Sequence, residues 1–282
     1  MLAICRSAKT IIVALVFLGT PFSLLKAGVF RSGTDLEIGT LLSERTYEEP
    51  GVMKESGLMS GVTGALAFRS RHMLGGIDIL RAEGTAEWGR VDYKSADSGF
   101  INGISDSMLE VRTLFGRELR NSGGMQLTTF AGFGYRRLDD FMGRVSSTGY
   151  DRQSIYWYSP LSIELCLPQE RGWTIDGTVE YDFLISGMQT SLITQAVNSS
   201  FTYSDNLKNR QNDGYGLRAS ARFSKKIDAF TLAFEPWFCY WNIGNSEGDT
   251  IVVTQNGSSL RKSYFEPKNT TTQYGLKVSM LF

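Results

Sequence analysis

The stretch Trp173–Ile185, WTIDGTVEYDFLI, decides the fold. One parity carries Trp173, Ile175, Gly177, Val179, Tyr181, Phe183 and Ile185, and the other carries Thr174, Asp176, Thr178, Glu180 and Asp182 before Leu184. Side chains alternate between faces along a strand, so this pattern predicts a β-strand with one apolar and one acidic face. Its 13 residues far exceed the usual globular strand of about five or six.

The same alternation recurs along the chain. Leu80, Ala82, Gly84, Ala86 and Trp88 interleave with Arg81, Glu83, Thr85 and Glu87. Leu109, Val111, Thr113 and Phe115 interleave with Glu110 and Arg112, and Tyr215 to Phe223 interleave with Arg218, Ser220 and Arg222. Ten segments follow this rule: 34–46, 57–69, 76–93, 107–119, 124–137, 152–167, 172–185, 213–224, 228–243 and 271–282. Every second connection is short, whereas the others lengthen to about 27 residues at 186–212 and 244–270. Short turns at one end, long loops at the other and an even strand number are the anatomy of outer-membrane barrels.

Composition alone hides this. The 282 residues balance 29 Lys plus Arg against 29 Asp plus Glu, are 42% hydrophobic and include one histidine. Mean hydropathy is −0.14. No basic excess suits a phosphate backbone, so nucleic acid is not an expected partner. A near-zero hydropathy is the expected average for strands apolar on one side only. A β-sandwich would also alternate, but it gives no reason for Trp88, Tyr135, Trp157, Trp173, Tyr240 and Tyr274 to gather near strand ends, as interfacial girdles do.

Residues 1–27 have the parts of a secretory signal: Arg6 and Lys9, the apolar run Ile11–Leu18, and Ala27 as a cleavage position. The remaining 28–282 reads as one barrel domain. The chain closes on QYGLKVSMLF, with Tyr274, Leu276, Val278, Met280 and Phe282 on one parity. This ending resembles the signal that barrel-assembly machinery reads. With the short turns periplasmic, five long loops face outward. Pro160 and Pro236 fall inside strands and predict bulges.

With the apolar parity toward lipid, the lumen receives Arg81, Glu83, Glu87, Glu110, Arg112, Glu164, Asp176, Glu180, Asp182, Arg218, Arg222, Glu235 and Lys277. Both signs occur in similar number, which suits either an ion path or a salt-bridged plug. Barrels of roughly eight strands are filled by side chains and those of roughly 16–18 hold water, so about ten strands favour the plug. Cys166 and Cys239 share the luminal parity but lie toward opposite ends, which disfavours a disulfide.

The pattern resembles the omptin-like barrels, a group of outer-membrane proteases and surface adhesins. The resemblance rests on Gly132–Tyr135, on SPLSIEL (159–165) through VEYDFLISG (179–187), and on YGLKVSMLF (274–282). LEVRTLFGREL, TTFAGFGYRRLDD, DGYGLRASARFSKK, FEPWFCYW and EPKNTTTQYGLKV also resemble a wider set of outer-membrane barrels. The omptin resemblance implies an acidic pair facing an Asp–His couple at the extracellular rim. Here ISGMQTSL (185–192) has neither Asp nor His, and Asp92 has no evident partner. The single histidine, His72, falls in a periplasmic turn.

These observations predict an all-β, transmembrane, antiparallel up-and-down β-barrel of about ten strands, with about twelve as the alternative. The expected place is the bacterial outer membrane, with lipid, lipopolysaccharide and assembly machinery as partners. The expected role is non-enzymatic, structural or in surface interaction through the outer loops, whose ligand the sequence leaves open. No catalytic, cofactor or metal residues are assigned. The alternatives are a narrow channel and an omptin-like hydrolase with altered chemistry. Carboxylates with raised pKa converging at the extracellular rim would favour the hydrolase.

Overall fold

The computed structural model describes residues 33–70, 73–96, 99–120, 125–196 and 200–282. The expected signal segment and His72 lie outside the described residues. The strands β1 (Gly33–Glu49), β2 (Met53–Arg69), β3 (Ile79–Ser95), β4 (Gly99–Arg120), β5 (Gln126–Asp140), β6 (Arg152–Pro168) and β7 (Trp173–Ser191) form an antiparallel meander. Next, β8 (Phe201–Tyr203) stands outside the barrel wall. Two pieces, β9 (Leu207–Gln211) and β10 (Gly214–Ile227), pair in succession along β7 as one interrupted stave.

β11 (Phe230–Ile243) follows β10. The hairpin β12 (Asp249–Gln255) and β13 (Ser258–Tyr264) joins β8 in a separate three-stranded sheet. β14 (Asn269–Leu281) then pairs with β11 on one side and β1 on the other, closing a ten-stranded barrel. The backbone of Phe282 exchanges hydrogen bonds of 2.9 and 3.2 Å with Leu36 across that seam.

Closure forces one parity outward. Ile38, Leu42, Leu58, Val62, Phe133, Val179, Phe183, Phe234 and Val278 are all exposed and form an apolar belt. Of the C-terminal residues, Tyr274, Val278, Met280 and Phe282 are exposed and Leu276 is half-buried. Trp88, Tyr135, Trp157, Tyr240 and Tyr274 lie well inside their strands, because the staves continue above the belt. There the outward residues become polar, as at Glu48, Lys54, Asp92 and Lys94.

Inside, the packing exploits glycine. The rings of Tyr158 and Phe130 lie so close over Gly134 and Gly116 that an added Cβ would sit 2.2 and 2.4 Å from ring carbons. A ring over a glycine on the neighbouring strand covers exposed backbone and fixes register.

Four expectations change. The outer ends of β1–β2 and β3–β4 are joined by three-residue connections, 50–52 and 96–98, so five long loops reduce to three. Much of the expected loop 186–212 is strand, in β7 and β9. Pro236 makes no bulge: its register with β14 is unbroken, and only the pairing of Ala221 and Arg222 with Pro236 and Glu235 lapses.

At Pro160 the pairing with Gly132 lapses, and the Ser159 hydroxyl donates to the Gly132 carbonyl at 3.0 Å. That hydroxyl supplies the donor proline lacks. The register shift itself sits opposite, where Trp157 pairs with Ser186 but Tyr158 with Leu184. Above this bulge, Gly187, Gln189 and Ser191 turn inward.

Candidate functional site

The lumen has three storeys. The lowest is a cavity of about 920 Å³ whose lining runs from Gly33, Asp35, Arg69 and Pro168 at the turn end up to Glu87, Glu110 and Arg136. Its walls carry the charges that the alternation points inward. Arg81 pairs with Glu164 at 3.0 Å and lies 3.7 Å from Glu83. Arg112 bridges Glu83 and Glu180. Arg218 pairs with Glu110 at 2.6 Å, Asp182 at 2.7 Å and Glu180 at 3.2 Å. Arg222 and Lys277 both hold Glu235 at 2.8 Å, and both reach Glu37, at 3.0 and 3.5 Å.

Two members of the expected charge network differ. Glu87 accepts hydrogen bonds from Ser43 at 2.8 Å and Gln273 at 2.6 Å, and among the described residues no cation pairs with it. Asp176 faces Cys166 across the β6–β7 ladder. Cys166 and Cys239 are free thiols. Charged side chains therefore line the lower lumen without filling it.

The middle storey is built around an apolar cluster. Tyr156, Tyr158, Leu184, Cys239, Trp241 and Ile243 pack together, with Tyr158 edge-on to Trp241 at 5.1 Å between centroids. The Tyr158 hydroxyl donates to Glu110 at 2.8 Å. Arg136, only 1% exposed, lies beneath Trp241 and donates to the Cys239 sulfur at 3.7 Å. A buried Arg45–Asp106 pair completes this level.

The top storey lies above the apolar belt, where sequence reasoning placed loops. Arg152, at the start of β6, pairs with Glu49 at 3.0 Å, Glu55 at 2.8 Å and Asp140 at 3.1 Å, and lies 4.0 Å from Glu266. These carboxylates come from the ends of β1, β2 and β5 and from the segment entering β14. The Tyr47 hydroxyl donates to Glu49 at 2.9 Å.

Four carboxylates around one guanidinium leave an acidic excess in a buried place. Burial pushes the Glu55 carboxyl up to about 7, with Asp140 adding and Arg152 opposing. It likewise pushes Glu266 up to about 7, with Glu49 adding and Arg152 opposing. A shared proton relieves the repulsion of paired carboxylates. Burial also raises the Tyr47 and Tyr150 hydroxyls. The cluster meets the stated condition of rim carboxylates with raised pKa, but Arg152 occupies its centre and none of the four acids lines the cavity. The signal for it was present: Ser43, Arg45, Tyr47 and Glu49 share one inward parity.

Among described residues no set of His, Cys, Asp and Glu is arranged to hold a metal ion. Above the rim, Ile193, Leu207, Ile251 and Val253 form an apolar cluster under the three-stranded sheet, with Tyr150, Phe201, Tyr203 and Tyr264 against it. On the outer wall, a groove of about 460 Å³ at the top of the belt is lined by Leu42, Leu58, Trp88, Phe141, Arg90 and Arg144.

No family model matches the chain, and no curated protein matches it in sequence. Solved structures do. The outer membrane protease OmpT from Escherichia coli superposes at a TM-score of 0.60 over 88% of this chain and 96% of its own, at 10% identity. The translocator domain of the autotransporter NalP from Neisseria meningitidis gives 0.41 at 13% identity over 88% of each chain. The Ralstonia pickettii toluene transporter TbuX gives 0.37 at 9% identity over 89% and 90%. The last two likenesses are too slight to argue from. In fold, this chain is a closed ten-stranded antiparallel β-barrel similar to that of the protease OmpT.

Proposed function

We propose that the chain spans the bacterial outer membrane with its turn end in the periplasm, and acts non-enzymatically through its outer loops above a closed lumen. The observation that carries this reading is the packing above the lower cavity, where two storeys, the Tyr156–Trp241 aromatic layer and the Arg152 cluster, stand toward the loop end and support a seal. The apolar belt supports the membrane placement. The groove with Arg90 and Arg144 at its upper edge supports contact with lipopolysaccharide phosphates. The exposed Tyr274, Val278, Met280 and Phe282 support recognition by assembly machinery. Planar-bilayer recording of the refolded protein tests the seal: no stable open current is expected, and a steady ohmic conductance refutes it.

A second reading, a hydrolase of altered chemistry, is favoured by the rim carboxylates, because Glu55 and Glu266 near 7 are poised for proton transfer. Hydrolysis of a peptide or ester library that Glu55→Gln and Glu266→Gln both abolish would establish it. Arg152 in the centre and the burial of Glu49 and Glu55 weigh against it.

A further inference from the structure

The three-stranded sheet above the rim ends in β13, an edge strand that no described segment covers. Six of its seven residues are exposed. The turn into it, Asn256–Gly257, has φ of 49° and 79°, the backbone of a two-residue hairpin in which Asn-Gly is favoured. Gln255 therefore faces Ser258, and the register continues through Leu260 opposite Val253 to Tyr264 opposite Asp249. In an antiparallel ladder alternate residues bond the neighbour. Ser258, Leu260, Lys262 and Tyr264 bond β12, so Ser259, Arg261 and Ser263 hold their N–H and C=O groups away from the sheet.

The two faces of this edge differ. Leu260 and Lys262 stand opposite Val253 and Ile251, whose side chains enter the apolar cluster. Leu260 is nonetheless 62% exposed, so an apolar shoulder continues to the open edge. The other face presents Arg261 between two serines. A second copy of this strand fits badly, because antiparallel self-pairing centred on the outward-bonding Arg261 sets it opposite its own copy, and like charges across a ladder destabilise it. An acidic strand meets no such penalty.

We propose that the β13 edge binds an extended segment of a partner protein by strand addition, the segment alternating an apolar residue over Leu260 with Asp or Glu beside Arg261. The proposal rests on the reading of the outer loops as the working surface. Backbone pairing supplies affinity in this mode and the alternate side chains supply selectivity.

The test uses the full refolded barrel in detergent and three synthetic heptapeptides. One alternates Glu and Val, the second alternates Lys and Val, and the third is the first with its β13-facing amides N-methylated. The Glu/Val peptide should bind at least tenfold more tightly than either other. Arg261→Glu combined with Lys262→Glu, both exposed, should reverse the charge preference while leaving the melting temperature unchanged. Equal affinity for the Lys/Val peptide, retention after N-methylation, or no binding by the wild type at millimolar peptide each overturns the proposal. Self-association abolished by the same charge reversal overturns it in favour of a second copy.

A parallel measurement isolates the underlying reading. Cells displaying the chain, with and without 248–264, are compared for retention on an array of extended peptides. Retention that survives trimming defeats the assignment to the β12–β13 hairpin, and retention that also survives removal of 141–151 and 192–206 defeats the loop reading itself. Retention lost on trimming but indifferent to the charge reversal defeats only the assignment to β13.

Discussion

Glu266→Gln tests the electrostatics of the rim. Glu266 joins the outer arm to the barrel. Its backbone N–H donates to the Ser246 hydroxyl at 2.7 Å and its carbonyl accepts from Ser246 N–H at 3.0 Å, while its carboxyl enters the Arg152 cluster. When the arm lifts, the carboxyl returns to water and to its ordinary value of 4.5, against about 7 when docked. The docked state therefore binds more protons than the lifted state between those values, and docking weakens as pH rises. The gap between 4.5 and about 7 corresponds to about 3 kcal/mol, or about 300-fold in the opening equilibrium.

The assay is limited proteolysis of 244–268 in the intact refolded barrel from pH 4 to 8. Wild-type protection should be full below about 4.5, fall through the interval, and level off above 7. The glutamine variant mimics the protonated carboxyl, so its protection should be flat and exceed wild type at pH 8. A variant whose protection falls with pH as wild type does, or a wild type with no slope, refutes the assignment of the proton to Glu266.

Two further outcomes follow from the same structure. Arg152→Met leaves four carboxylates without their cation, and breaking such a buried set costs about 3–5 kcal/mol. The barrel should unfold at lower denaturant at pH 8 and recover much of the loss at pH 5, where Glu55 and Glu266 are protonated; a loss independent of pH counts against the charge argument. Ser159→Ala removes the hydroxyl that bonds the Gly132 carbonyl at the proline and should cost about 1 kcal/mol in denaturant unfolding. Pro160→Ala in that background restores an N–H to the ladder and should return most of it, whereas an additive double variant excludes the substitution of hydroxyl for amide.

The strands were legible because an apolar belt on one side and a polar lumen on the other impose the same two-residue period on every stave, as in Leu80–Trp88 and Trp173–Ile185. Pairing partners within the lumen were not legible, because parity gives the face of a side chain but not its height. Arg81 and Glu164 are 83 positions apart in sequence, and only the stagger of the closed sheet brings them level. Glu37 shows the same limit. It shares the inward parity, yet its role as a bridge between Arg222 and Lys277 needs the β1–β14 seam.

Above the belt the rule itself weakens. There the outer face is no longer apolar, and Glu48, Lys54, Asp92 and Lys94 sit where Leu42, Leu58 and Trp88 sit lower down. Polar outside and polar inside erase the hydrophobic alternation, and such stretches read as loops. Glu49, Glu55 and Asp140 were missed for that reason, although the staves carrying them continue unbroken. The bulge beside Ile185 adds a second cause, since it reverses parity and sends Gln189 inward from a position that the lower strand would assign outward. The part of the barrel above the belt is thus the part its sequence hides best. The contrast also has physical content: a membrane constrains composition by solvent, whereas the rim is held by specific pairs. A single substitution at Arg152 should therefore unsettle the rim more than most exchanges of one apolar residue for another along the belt.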